Sequence, residues 1–286
     1  MTIPRLIATD LDGTLLGRDG ALSPRTVAAL RSCVEAGVDV VFVTGRPPRT
    51  VAALAAAAGA GVTVICSNGT LIADPATGDV TVAYEFEPAD ARQVVEQLRP
   101  VLPDAGFALE SGYELWHDEA FRPGKVGGGA RSYLVHPFDG VWAQAGRIVK
   151  VLARSPTLTA DQIAAAAAAA LRVPVEVSHS GANGLVEIAP GGATKGAALA
   201  RLCAARGIGA REVVAFGDMP NDLPMLRWAG VSYAVANAHP DVLAAATRKA
   251  GAHDRDGVAA VLEELLAAGA GRDADGGDES PLAAAL

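Results

Sequence analysis

A chain of 286 residues, 50 % hydrophobic and 20 % charged, holds enough apolar material for two domains or one large one, and that balance excludes a disordered chain. Its net charge of −8 argues against a nucleic-acid partner, which needs a basic face, but leaves room for a small phosphorylated ligand at a local positive site. Cys33, Cys66 and Cys203 are scattered without disulfide or metal-ligand spacing, as expected in a reducing compartment.

Met1–Arg5 lacks the charged-then-apolar pattern of a signal peptide, so a cytoplasmic protein is expected. Leu6-Ile7-Ala8 is a short apolar run ended by Asp10-Leu11-Asp12-Gly13-Thr14, which predicts a buried strand stopping at a turn. Ser23 as N-cap and Pro24 at the first helical position open a helix carrying Val27, Leu30 and Val34, closed by Gly37. Val38–Val43 predicts a second buried strand ending at Thr44-Gly45-Arg46-Pro47. A helix through Val51 and Leu54 follows, then a third strand over Val62–Cys66 that closes at Ser67-Asn68-Gly69. Strand and helix alternating over short links predict a parallel sheet with right-handed crossovers.

The pattern then changes. Val80–Phe86 and Phe107–Glu110 alternate, Ile148–Leu152 is a short apolar run, and Val175–Ser178 and Gly184–Ile188 are further short strands. Helical segments fall near 89–101 and 160–171. The apolar stretch Ile163–Leu171 is too short to span a bilayer, so no membrane span is expected. This predicts an inserted α+β unit over 82–187 with one solvated sheet face. The α/β pattern resumes after 188: a helix from Thr194 to Ala205, a strand Glu212–Phe216 ending at Gly217-Asp218, a helix Asn221–Trp228, a strand Val231–Val235, and helices from Pro240 and Gly257. The expected division is 1–81 and 188–268 for the core, 82–187 for the insert, and 269–286, rich in Gly, Ala and Asp, for a disordered tail.

Polar residues stand where strands end: Asp10 and Asp12, Thr44 and Gly45, and Asp218 with Asn221 and Asp222, while Lys195 opens a helix. Each group alone reads as well as a turn or a cap. A parallel sheet, however, gathers its ligand-binding residues beyond the carboxyl ends of its strands. Two carboxylates one residue apart at that edge need a cation between them, and a divalent metal with a phosphoryl group fits the need.

The order of these pieces resembles the haloacid dehalogenase superfamily. Asp10-Leu11-Asp12-Gly13-Thr14-Leu15, Val41-Phe42-Val43-Thr44-Gly45-Arg46, Lys195 in Ala193-Thr194-Lys195-Gly196, and Gly217-Asp218-Met219-Pro220-Asn221-Asp222 are similar to its four motifs in turn. The insert between the second and third motifs resembles the C2-type cap of the Cof-like phosphatases, as do Ser67-Asn68-Gly69, Val235-Ala236-Asn237-Ala238 and Asp256-Gly257-Val258. The resemblance covers the chain apart from the tail, and within the cap it rests on position and length.

The resemblance implies a parallel, Rossmann-like three-layer α/β core with an inserted α+β cap, and a Mg²⁺-dependent hydrolase of small phosphomonoesters such as sugar phosphates or phosphorylated cofactors. Asp10 would be the nucleophile, forming an aspartyl-phosphate, and Asp12 the acid and base. The Asp10 side chain, the Asp12 backbone carbonyl and Asp218 would hold Mg²⁺, with Asp222 supporting Asp218 or a metal-bound water. The Thr44 hydroxyl, the Gly45 N–H and Lys195 would share the phosphoryl charge, with Asn221 nearby.

Other signals are weaker. Gly191-Gly192-Ala193-Thr194-Lys195-Gly196 lacks the ending of a P-loop, and Gly127-Gly128-Gly129 follows no strand and reads as a cap loop. His117, His136 and His179 read as packing or surface residues, and Arg122, Lys125 and Arg131 as solvated cations. Two rivals remain at this level: a phosphomutase using the same aspartyl-phosphate, and a phosphometabolite sensor without turnover. The physiological substrate and the oligomeric state are left open.

Overall fold

Strand β1 (Leu6–Thr9) is buried along its whole length, so it needs a neighbour on each edge and cover on both faces. The computed structural model, which describes residues 3–59, 61–123, 131–179 and 184–275, supplies both. Helix α1 (Pro24–Glu35) starts where Ser23 accepts the Thr26 N–H, and it buries Thr26, Ala29, Leu30 and Cys33, the stripe a helix presents to a sheet. Strand β2 (Asp39–Val43) pairs in parallel with β1. A 3-10 turn at Pro48–Thr50 leads into α2 (Ala52–Ala58), and β3 (Thr63–Cys66) pairs in parallel with β2.

Two strands then turn back, β4 (Leu71–Asp74) and β5 (Asp79–Val82), as an antiparallel hairpin on the edge beside β3. Val82, where the insert was expected to begin, is the last residue of β5 and pairs with Leu71 in this first sheet. The Gly78 N–H closes on the Asp74 carbonyl at 2.8 Å, with Gly78 at φ +78°, so the turn returns the chain to the first sheet before it leaves.

The insert comprises α3 (Pro88–Leu98), β6 (Gly106–Glu110), β7 (Glu114–His117), β8 (Arg131–Leu134), β9 (Lys150–Arg154), α4 (Ala160–Ala170), β10 (Val175–Ser178) and β11 (Leu185–Pro190). Its strands form one sheet in the order β10-β11-β9-β6-β7-β8, antiparallel except between β7 and β8. Phe107, Leu109, Val151, Ala153, Val186 and Ile188 pack with Val94, Leu98, Ile163 and Ala167 of the two helices. The residues between them point the other way: Ala108, Leu152 and Leu185 form a small cluster with Leu115 and Phe121, and Glu110, Lys150 and Glu187 share that face.

That face was expected to be solvated. Instead Glu110 and Lys150 are buried, because the face lies over the core's strand ends and becomes the roof of a cleft. Pairing of β11 with β10 continues to Pro190, past the expected cap boundary at 187. Residues 127–129 and Lys125 lie outside the described residues.

The second half of the core follows the expected alternation: α5 (Lys195–Ala205), β12 (Val213–Gly217), α6 (Leu223–Trp228), β13 (Val231–Ala234), α7 (Pro240–Ala245), β14 (Arg248–Lys249) and α8 (Gly257–Asp275). The finished core sheet runs β14-β13-β12-β1-β2-β3-β4-β5, with β1 between β12 and β2. Its apolar cluster extends from Leu6 to Leu265 in sequence and lies on both faces of that sheet. Helix α8 continues through Gly269–Asp275, where a disordered tail was expected. Val258, Leu262 and Leu265 anchor it to the core, and extending a helix already nucleated and packed costs far less than starting one, even through Gly269 and Gly271. The remainder of that tail, 276–286, is outside the described residues. No helix among the described residues is long and apolar enough to cross a membrane.

Candidate active site

Parallel pairing of β1 with β2 and β12 sets three strand ends side by side, and the residues that terminate them meet there. Asp10 leaves β1 with its N–H on the Phe216 carbonyl at 3.0 Å. Thr44 leaves β2 with its N–H on the Ile65 carbonyl at 2.8 Å, and its hydroxyl accepts the Arg46 N–H at 3.1 Å. Lys195, the first residue of α5, is 1 % exposed and reaches across the strand ends. Its Nζ donates to Asp10 Oδ1 and to Asp222 Oδ1, both at 2.6 Å.

Burial opposes the charge on Lys195, but the facing Asp10 and Asp222 carboxylates outweigh it and hold the ammonium protonated above its ordinary range. Burial drives the Asp10 carboxyl the other way, well above the usual carboxylate value, against the pull of Lys195. Asp218, also chiefly through burial and then through its neighbour Asp222, is raised to about 6. Asp218 Oδ1 accepts the Thr14 hydroxyl at 2.9 Å. Asp222 is committed on both oxygens: Oδ2 accepts the Asp218 and Met219 N–H groups at 2.9 and 3.0 Å, while Oδ1 takes Lys195. It thereby fixes the backbone that carries Asp218.

Carboxylate oxygens of Asp10, Asp218 and Asp222 come within 4.8 Å of one another. Hard oxygen donors gathered around one buried ammonium leave negative charge uncompensated, which suits a hard divalent cation. The Asp12 carboxylate is not in this group. It is half-exposed, and both its oxygens are gripped by Arg46, Nε at 2.7 Å and Nη2 at 2.6 Å. Asn221 lies at the rim, its amide donating to Asn68 Oδ1 at 3.2 Å, and its own Oδ1 is buried without a partner.

Asp10, Asp12, Thr44, Gly45, Arg46, Asp218 and Asn221 floor a cleft of about 410 Å³, roofed from the cap by Glu110, Lys150 and Glu187. Lys195 and Asp222 are buried and reach it through Asp10 and the backbone of Asp218. All eight residues singled out from the sequence, Asp10, Asp12, Thr44, Gly45, Lys195, Asp218, Asn221 and Asp222, come to this one region. The cap's His117, His136 and His179 do not line the cleft, nor do Arg122 and Arg131. Arg46, Asn68 and the three roof residues were given no role from sequence. For Lys150 and Glu187 a signal was present: each is a lone charge inside an apolar run, Ile148–Ala153 and Leu185–Ala189, and such a charge is buried only with partners.

A parallel α/β core with a carboxylate and lysine centre at its strand ends, closed by a lid sheet, defines an enzyme that works on a small charged substrate. Residues 7–262 match the haloacid dehalogenase-like hydrolase family. The chain is 31 % identical to the pyridoxal phosphate phosphatase YbhA of Escherichia coli, over 92 % of this chain and 98 % of that protein. It is 29 % identical to the HMP-PP phosphatase of Cronobacter sakazakii, over 84 % and 87 %. The crystal structure of SMU.1108c from Streptococcus mutans superposes with a TM-score of 0.81 at 25 % identity, over 92 % of this chain and 99 % of that one. The chain therefore belongs to the haloacid dehalogenase-like hydrolase family, and it is a phosphatase.

Proposed function

We propose that this phosphatase hydrolyses small phosphomonoesters through an aspartyl-phosphate on Asp10. The observation that carries this reading is the Lys195 bridge. Its ammonium occupies Asp10 Oδ1, holding the carboxylate in one orientation and leaving Oδ2 for phosphorus. Asp10 attacks phosphorus, the bond to the ester oxygen breaks, and Asp12 gives that oxygen a proton. Asp12 then takes a proton from water as the water oxygen attacks phosphorus, releasing phosphate and restoring Asp10.

The Thr44 hydroxyl, the Gly45 N–H and Lys195 share the negative charge of the transferring group, with Asn221 at its edge. Asp10, Asp218 and the Asp12 carbonyl would hold Mg²⁺, with Asp222 bracing Asp218. Bound there, the ion supplies charge neutralisation that lets a carboxylate approach a phosphate dianion.

The relatives are named for pyridoxal phosphate and HMP-PP, and a cleft of about 410 Å³ suits a metabolite of that size. A small phosphorylated cofactor or sugar phosphate is the substrate class we assign. Three free, buried cysteines fit action in the cytoplasm.

Phosphate release from a panel of such metabolites, with Mg²⁺ or EDTA, in the wild type and Asp10→Asn, tests the reading. Metal-dependent release that vanishes in Asp10→Asn while circular dichroism is unchanged supports it. Release undiminished in Asp10→Asn overturns the nucleophile assignment. Transfer of the phosphoryl group to a second hydroxyl, with no free phosphate, would make the enzyme a mutase.

A further inference from the structure

Lys150 enters the cleft from β9 of the cap and is 1 % exposed. A buried ammonium is tolerated only when its protons are taken up by good acceptors. One acceptor lies in the cap itself, Glu187 Oε1 at 2.9 Å; Glu110 Oε1 is farther, at 3.9 Å. The other lies in the core, the carbonyl oxygen of Gly45 at 3.0 Å. Glu187 makes a matching reach. Its Oε2 accepts the Asn68 amide at 2.6 Å, and Asn68 in turn accepts the Asn221 amide. Ser67 and Asn68 hold left-handed backbone, φ 51° and 58°, a conformation that non-glycine residues keep only where surroundings enforce it. Two cap side chains thus brace the two core turns that follow β2 and β3.

The Gly45–Arg46 peptide is held at both ends. Its carbonyl takes Lys150, and its N–H donates to Thr44 Oγ1 at 3.1 Å. With a lone pair of Oγ1 occupied by that N–H, the Thr44 hydroxyl hydrogen is left to point at an acceptor in the cleft. An ammonium on the carbonyl also polarises the peptide and strengthens its N–H as a donor. A side chain at position 45 would crowd this arrangement, since a Cβ there would stand 3.2 Å from Asn68 Oδ1 and 3.3 Å from Glu187 Oε2.

We infer that Lys150 is a positioning residue: from the cap, through the Gly45–Arg46 peptide, it aims the Thr44 hydroxyl at the transferring phosphoryl group, so that the phosphate-binding turn is complete only when the cap is closed. The inference rests on the reading of Thr44 and Gly45 as phosphoryl ligands. It separates Lys150 from a residue that contacts the leaving group, because a misaligned turn penalises every phosphomonoester alike.

The test is Lys150→Met, assayed on the fastest metabolite and on p-nitrophenyl phosphate, with orthovanadate binding followed by calorimetry. Where that substitution unfolds the chain, Lys150→Met combined with Glu187→Gln removes both charges at nearly constant volume. A misaligned phosphoryl ligand lowers kcat about 100-fold on both substrates, with KM changed less than about threefold, and weakens orthovanadate binding. A loss confined to the metabolite overturns the inference in favour of a leaving-group contact. A lower melting temperature with unchanged kcat and orthovanadate affinity overturns it in favour of a purely structural lysine. Absence of phosphate release and of orthovanadate binding in the wild type would instead overturn the functional reading itself.

Discussion

Arg46 and Asp12 face each other as a fork on a carboxylate, with Nε and Nη2 at 2.7 and 2.6 Å from the two oxygens. The hydrogen bonds that Arg46 donates to Asp12 hold the guanidinium above its ordinary value against partial desolvation. The two residues leave adjacent strands, β1 and β2, so the pair also ties the two turns together at the mouth of the cleft. A planar fork orients a carboxylate in a way that a single ammonium cannot. Arg46→Lys keeps the charge and loses that orientation, and should lower kcat about tenfold with the fold intact. Steady-state kinetics on one metabolite checks this, and an unchanged kcat would show that Asp12 needs no such guide.

Lys195 is the only ammonium joined to Asp10 and Asp222 among the described residues. Lys195→Met leaves those carboxylates and Asp218 buried with no counter-charge, a defect worth about 3–5 kcal/mol of stability. Urea unfolding in EDTA should show the loss, and added Mg²⁺ should return part of it. A variant as stable as the wild type in EDTA would mean that these carboxylates are protonated or solvated in the folded chain.

Asp218 gives a pH dependence with a definite sign. Burial, then Asp222, raises it from its ordinary 3.8 to about 6, so the metal-free fold binds this proton more tightly than the unfolded chain does. The stability of the metal-free protein therefore falls as pH rises through that window and carries the full cost above it. A metal must displace the proton, so Mg²⁺ should raise the melting temperature more at about pH 7.5 than at about pH 5. Equal shifts at the two values would mean that Asp218 does not compete with the ion.

Gly13 sits at φ +79°, and a Cβ there would overlap the Asp218 carboxylate. Its carbonyl is meanwhile fixed by the Asn237 amide at 2.8 Å, so the loop has little freedom to move aside. Gly13→Ala should remove the Mg²⁺-dependent rise in melting temperature and lower kcat at least ~100-fold, since both depend on the placement of Asp218. Thermal melts with and without Mg²⁺ read the first effect, and retention of the shift would show that the loop accommodates a methyl group.

Local pattern made much of this molecule legible. Buried parallel strands announce themselves as short apolar runs cut off by Asp, Thr and Gly, and a parallel sheet delivers the residues after those runs to one edge. For that reason Asp10, Thr44, Lys195 and Asp218 could be grouped from sequence although they span most of the chain. Helix α1 was equally plain, because Ser23, Pro24 and the buried stripe are all local signals. The edge hairpin of β4 and β5 was not, since alternation states that a strand has two faces and not which sheet it joins.

The sequence by itself thus determined the alternation of strand and helix in the core and the acidic and basic residues that follow its strands. Only the tertiary structure decided which partner each charge meets: Arg46 on Asp12, Asp222 on the backbone of Asp218, and Lys150 on a carbonyl 105 residues away. Periodicity fixes the face on which a side chain stands. What covers that face depends on how the two sheets dock, and that is set by shape and by the demand that every buried charge find a partner.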